Sequence, residues 1–268
     1  MFDSLKRDSI SQKRKEKQTL KENNFKDWKE LIYTMKEMST ESFYNKYKNI
    51  DTRLIPQSEY DKWLEENEPS KEELSKQKEE KFNIKLELMS KEYSMIIDES
   101  IEYQTYENYV KTEVEDEDYA RAVKESESDY IIFFGVYVDV PPFSFYEIAK
   151  YLKENDIDMA YCDNDTIIEG GRNFPNFKPD YQKEILSEAN YVGNFLIVKT
   201  DFLKNNIEIL EDLNYTFIYD IAIRISEKTN NIKHINKILF NNLLEDMPEE
   251  PEDEQRIVEE HKERVAKK

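Results

Sequence analysis

Glycine, cysteine and histidine are scarce in this 268-residue chain. Its four glycines, Gly135, Gly170, Gly171 and Gly193, all fall in one stretch of the second half. A single cysteine, Cys162, excludes an intrachain disulfide and makes a reducing cytoplasm the expected setting. The two histidines, His234 and His261, come with no C-x-x-C or H-x-x-x-H pattern, so no zinc site is expected. No window approaches the ~18 apolar residues of a membrane span. The N-terminus M-F-D-S-L-K-R-D-S also lacks the apolar run of a signal peptide. Positive charge is in deficit, with a net charge of -20. That disfavours nucleic acid or an anionic membrane as the main partner, but leaves room for a small anion in a local pocket.

Apolar residues make up 38% and charged residues 37%, so a core requires that parts of the chain be solvated helix. Residues 1–81 fit that description. Lys, Glu and Gln dominate, and Leu20, Phe25, Trp28, Leu31, Ile32 and Met35 recur at helical spacing. Ser58 reads as a helix cap, and Pro69 as the first turn of a further helix. This extension is either a packing and solubility appendage or a partner-binding arm anchored by Trp28 and Trp63.

From Phe82 the pattern changes. Ile84, Leu86 and Leu88 alternate with polar residues and predict a strand with one wetter face. A helix over 94–103, a strand over 110–114 and a helix over 120–127 follow. The densest apolar run comes next, S-D-Y-I-I-F-F-G-V-Y-V-D-V-P-P at 128–142, a buried strand that stops at Gly135. Beyond it the pattern predicts a helix through Ile148, Ala149 and Leu152 and a short strand over 159–162. A hairpin on Gly170–Gly171, a strand over 194–198, a helix through Ile218, Ile221 and Ile225, and a strand over 232–240 complete the series. Residues 245–268 read as an acidic linker and an exposed charged helix. Strands alternating with helices over 82–244 predict an α/β fold, a mostly parallel sheet with ligand sites at the strands' C-terminal ends.

Six segments in order carry a more specific resemblance: Q-T-Y-E-N-Y (104–109), D-Y-I-I-F-F (129–134), Y-E-I-A-K-Y-L-K-E-N (146–155), A-Y-C-D-N-D (160–165), F-K-P-D-Y (177–181) and Y-V-G-N-F-L-I-V (191–198). Together they resemble the bacterial rhamnosyltransferase-like members of glycosyltransferase family 2, from about Asp61 onward. The resemblance implies a GT-A fold, mixed but mostly parallel, and a nucleotide-diphosphate sugar donor used in polysaccharide or glycoprotein assembly. It also implies a nucleotide-binding carboxylate pair, matched by Glu115 and Asp116. Between Asp118 and Ala120, however, the family carries a further strand-bearing segment that is missing here.

The remaining matches depart from the family. Where its D-x-D metal ligands belong, this chain has Gly135 and Tyr137, with Asp139 displaced before two prolines. The acceptor-base position is Ile218, and a second, structural aspartate matches Asp220. Asn241 stands where a histidine tends to be, and His234 matches an ordinary strand histidine. Asp163, Asp165 and Lys178 match loop-shaping positions with a candidate acceptor-side role.

The resulting expectation is a shortened member without catalysis, an accessory partner of an active glycosyltransferase in surface-glycan assembly. Docking or self-association would run through the N-terminal helices. No cofactor is expected. The alternatives are an active transferase with a metal-independent or re-registered site using Asp139 and Asp116, the only version in which manganese or magnesium would enter, and a scaffold whose function lies in the helical arm.

Overall fold

The computed structural model describes residues 15, 17–90, 95–114, 118–135, 137–214, 216–243 and 251–267. The N-terminal part is helical: α1 (Trp28–Lys36), α2 (Glu41–Tyr47), α3 (Gln57–Asn67) and α4 (Lys71–Glu79). Local capping explains their starts. Asp27 accepts from the Glu30 amide to begin α1, and Ser70 and Glu73 form a reciprocal capping box on α4. Pro69 therefore precedes the cap rather than opening the helix. Ser58 lies inside α3, whose cap position is Pro56, which makes no side-chain cap bond.

The α/β part runs β1 (Leu86–Ser90), α5 (Met95–Glu102), β2 (Tyr109–Glu113), α6 (Tyr119–Glu125), β3 (Tyr130–Phe134), β4 (Val138–Asp139), α7 (Ser144–Glu154), β5 (Met159–Ile168) and β6 (Gly171–Asn176). It continues with α8 (Lys183–Leu186), β7 (Phe195–Lys199), α9 (Thr200–Asn205), α10 (Phe217–Ser226), β8 (Ile232–Asn242) and α11 (Pro251–Ala266). The strands form one mixed sheet in the order β2-β1-β3-β7-β5-β8-β4, with β6 paired to β5. The ladders of β1 with β2, β1 with β3, and β5 with β8 are parallel, and the last is the longest. β7 runs antiparallel between β3 and β5.

Two apolar layers cover the two faces of this sheet. Leu88, Ile132, Phe134, Ile148, Leu152 and Leu239 pack on one side. Met89, Ile131, Phe133, Tyr161, Leu196 and Ile221 pack on the other. Successive strand residues point to opposite faces, so β3 feeds both layers and is buried throughout.

Three expectations are corrected. β1 has no wet face: it is buried at every position, Glu87 included, because β2 and β3 flank it and α6 covers it. Glu87 accepts from Thr112 Oγ1 at 2.7 Å, from Ser128 Oγ at 2.9 Å and from Ser126 Oγ. Next, the short strand over 159–162 and the first arm of the hairpin are one continuous strand, β5, and the polar run Asp163–Thr166 within it is buried. β5 continues to Ile168 because β8 and β6 pair with its far half. Finally, the C-terminal helix α11 is docked rather than free. Ile257 is fully buried in the second layer, and Glu227 accepts from Arg264 Nε at 2.8 Å and lies 2.9 Å from His261 Nδ1. The acidic linker of residues 244–250 lies outside the described residues.

A third cluster seats the helical part on the sheet. Leu31, Ile32, Met35, Tyr60 and Trp63 pack with Phe177 and Ile238. Trp63 is only 4% exposed, stacks on Tyr60 at 5.8 Å and meets Phe177 edge-on at 5.4 Å. The indole read from sequence as an interface anchor is thus used inside the chain.

Candidate functional site at the strand ends

The parallel strands β3, β5 and β8 deliver their C-terminal ends to one edge, where α/β sheets place ligands. Gly135 follows β3 and donates from its amide to Asn194 O at 3.0 Å. Tyr137 is 46% exposed, and its carbonyl accepts from the Leu243 amide at 3.0 Å. β4 then runs antiparallel to the end of β8 and sets Asp139 opposite Asn241. Asp139 is half-buried. Burial raises its pKa, and the Arg172 charge opposes that rise.

Asp165 forms the centre of this edge. It is fully buried and accepts from Tyr60 Oη at 2.7 Å, from Arg172 Nε at 2.8 Å and from Asn241 Nδ2. Burial pushes its carboxyl upward, and the three donors oppose that by favouring the ionised form. Arg172 also pairs with Glu68. Burial works against the Arg172 charge, but Asp165 and Glu68 outweigh it and hold its pKa above the ordinary value. A further bond runs from Gln57 Nε2 to Arg172 O at 2.7 Å. Helix α3 and the residue just beyond it are therefore fastened to β5 and β6 through Gln57, Tyr60 and Glu68.

Asp163 sits nearby with equal burial. Its Oδ1 accepts from the Lys178 amide at 2.8 Å and lies 2.7 Å from His234 Nε2. Burial alone would lower the His234 pKa; Asp163 outweighs it and raises it. The ring stacks on Tyr161 at 5.2 Å, so His234 is packed. Lys178 is 2% exposed. Its ammonium donates to Cys162 O at 2.7 Å and Val192 O at 2.8 Å and lies 4.8 Å from the Phe240 ring centre. Burial lowers its pKa to about 8. This lysine staples β5 to the turn before β7 from the interior.

Gly193 in that turn has φ +78°, and a Cβ there would stand 3.1 Å from Lys178 Nζ. Gly170 has φ +82° with nothing within 4 Å of a Cβ. Gly193→Ala is therefore expected to lose about 3 kcal/mol in urea unfolding and Gly170→Ala about 1 kcal/mol, because only the first adds overpacking to left-handed strain.

The other sequence candidates lie apart from this cluster. Ile218 is 3% exposed and belongs to the second apolar layer. Asp220 is fully buried and accepts from Arg224 Nε at 2.7 Å and from the Asn214 amide at 3.0 Å, a structural role. Glu115 and Asp116 lie outside the described residues. A cleft of about 320 Å³ opens between the β1 and β2 ends and α6, lined by Glu87, Thr112, Asp118 and Arg121. Sequence reading missed Tyr60, Glu68, Glu87 and Arg172. Tyr60 and Asp165 are 105 residues apart, and no spacing signal links them.

No protein-family model matches the chain. Over 129 residues, 46% of its length, it is 30% identical to the O-antigen biosynthesis protein RfbC of Myxococcus xanthus. Over 88 residues it is 30% identical to the uncharacterized protein y4gI of Sinorhizobium fredii. The chain spans about 10% of the length of each of these relatives. Among solved structures, S. aureus TarS 1-349 in complex with UDP-GlcNAc superposes with a TM-score of 0.49 at 14% identity, covering 66% of both chains. The same fragment in complex with UDP gives 0.45 at 14% identity, covering 66% of this chain and 65% of that one. The mixed sheet with helices on both faces makes the chain an α/β protein, and this architecture agrees with the GT-A fold that its sequence resemblance implies.

Proposed function

We propose that this chain serves surface-glycan assembly as a non-catalytic, glycosyltransferase-like partner of an active enzyme. One observation carries the reading. The buried carboxylate at the strand ends, Asp165, is engaged by Tyr60, Arg172 and Asn241, and so fastens the helical part over that edge. A divalent cation needs carboxylate oxygens free to face it. Here a guanidinium and two neutral donors occupy Asp165. On Asp163 an amide and an imidazole take Oδ1, and Oδ2 is buried with no partner among the described residues. One such oxygen, with Asp165 engaged by Arg172, is a poor donor set for a metal on a diphosphate. The acceptor-base position, Ile218, is apolar and buried, which leaves no group there to take a hydroxyl proton. The match to an O-antigen biosynthesis protein supports the surface-glycan setting.

In an assay with uridine, guanosine and deoxythymidine diphosphate sugars, the chain alone is expected to release no nucleotide above the buffer rate. Sustained release would overturn the proposal. A second reading, an active transferase that works without a metal, is favoured by the half-buried position of Asp139 at the same edge and by its raised pKa. Under that reading Asp139→Asn abolishes turnover while the fold is retained. Under ours there is no turnover to lose.

A further inference from the structure

A second cleft, of about 380 Å³, lies at the seam where the α3–α4 corner meets the edge of β8 and the start of α7. None of the strand-end residues Gly135, Tyr137, Asp139, Asp163 or Asp165 lines it. Its volume falls in the range of small-ligand sites. Its chemistry is unlike the apolar interior on either side.

Most of the charge around this cleft is already matched. Glu66 accepts from Lys29 Nζ at 2.8 Å, Glu68 pairs with Arg172, and Glu147 pairs with Lys237 at 2.5 Å. Glu73 is committed to the α4 capping box. Among the described residues, two ions on the lining are left without an ion-pair partner or a capping role, one of each sign. The Lys36 ammonium sits 5.3 Å from the Trp63 ring centre and donates only a long 3.3 Å bond to Asn236 O. The Glu65 side chain is exposed. At the wall, the Trp63 indole N–H is a buried donor with no acceptor among the described residues, a state that native interiors seldom leave unexplained.

These features narrow the ligand class. The lining carries more carboxylates than ammonium groups, which repels a phosphate or a nucleotide diphosphate. Among the described residues, no group of three His, Cys, Asp or Glu side chains could hold a metal ion. Polar surface dominates the lining, so an apolar ligand would leave the ions unsolvated. A neutral molecule that both donates and accepts along its length satisfies Lys36 and Glu65 together. We propose that the seam between the α3–α4 corner and β8 is a binding cleft for a neutral saccharide, gripped by Lys36 and Glu65 beside Trp63. Lys36 and Glu65 take no part in the strand-end cluster, which this cleft meets only at Glu68, so the inference does not rest on the loss of catalysis argued above.

The test uses the whole chain labelled with ¹⁵N. Its two tryptophans give two indole N–H signals, and only Trp63 lines the cleft. Rhamnose, N-acetylglucosamine and chitobiose are titrated separately, with UDP as the anionic control. At least one of the saccharides is expected to move the Trp63 signal and leave Trp28 in place, while UDP moves neither. Glu65→Gln and Lys36→Met should each weaken that binding about tenfold, the loss expected for one hydrogen bond to a charged group. Glu65 is exposed, so its variant keeps the fold if the Lys36 variant does not. The proposal is overturned if no saccharide moves the Trp63 signal, if UDP moves it as far, or if Glu65→Gln leaves the affinity unchanged.

Discussion

Arg172→Met is expected to lower the unfolding free energy by about 3–5 kcal/mol, the range for removing one partner of a buried ion pair. Arg172 bridges two carboxylates, Asp165 at the sheet edge and Glu68 just beyond α3. Methionine fills much of the volume but strands the Asp165 charge at 0% exposure. Tyr60 and Asn241 still donate to it, and two neutral hydrogen bonds do not replace a guanidinium. Asp165→Asn is the milder change, about 1–3 kcal/mol, because the amide oxygen still accepts and Arg172 keeps Glu68. The double variant should recover part of the Arg172→Met loss, since it removes the uncompensated charge. Urea unfolding of the four proteins gives the coupling energy. In hydrogen exchange, the amides of α3 should open faster in Arg172→Met, and those of β3 should not. Full additivity of the two changes would show that the pair does not couple.

The second large effect is alkaline unfolding. Burial raises the Cys162 thiol from the ordinary 9.0 to about 12. Burial likewise raises the Tyr146 and Tyr191 phenols from 10.0 to about 12. For each, the unfolded chain loses its proton first, so the stability is intact below the unfolded value and drains away as pH rises toward 12. Three units on the fully buried thiol correspond to about 4 kcal/mol, and two units on the Tyr191 phenol to about 3 kcal/mol. Against a typical total of about 5–15 kcal/mol, that is enough to unfold the domain.

Lys178 acts in the opposite sense. Its folded pKa lies near 8 against the ordinary 10.5, so above pH 8 the unfolded chain holds a proton that the native state has lost. Stability from this group rises between those values. The combined profile therefore rises modestly above pH 8 and falls steeply above pH 10. Urea midpoints at pH 7, 8, 9, 10 and 11 should trace that curve, and Lys178→Met should remove the rise while leaving the fall. A midpoint that stays flat to pH 11 would contradict it.

The frame of the molecule is legible in the sequence because its signals are local. β3 reads as a dense apolar run, and α7 and α10 read as apolar stripes at helical spacing. The candidate site is far less legible, for two physical reasons. Buried polar residues look solvent-facing: Asp163–Thr166 is hydrophilic by type, yet it is buried in β5 because β6, β8 and α3 supply its partners from elsewhere in the chain. Glu87 misleads in the same way, since three hydroxyls from β2 and the α6–β3 connection make an inner position out of an outer one. Asn241 shows the opposite case. The sequence marks it only as standing where a histidine is expected, whereas the fold gives it a definite task, donating to Asp165. The resemblance to family 2 glycosyltransferases draws attention to Asp165 and Asn241, and the fold joins the two by a hydrogen bond.

The helical part also changes meaning once it is seen in place. As sequence, it is a polar extension with two exposed-looking tryptophans. In the fold, its apolar stripe and Trp63 are spent on Phe177 and Ile238, and its polar residues close the strand-end edge and one side of the saccharide cleft. Under the proposed accessory role, a partner enzyme meets the outer, charged face of these helices.

Calorimetric titration of the purified chain with UDP-N-acetylglucosamine, with and without manganese, tests the central claim most directly. The clamped Asp165 and the Gly135–Tyr137 edge predict no manganese-dependent gain in affinity, and an unchanged result in Asp139→Asn. Tight binding that appears only with manganese, and that Asp139→Asn removes, would contradict the claim and identify an active donor site.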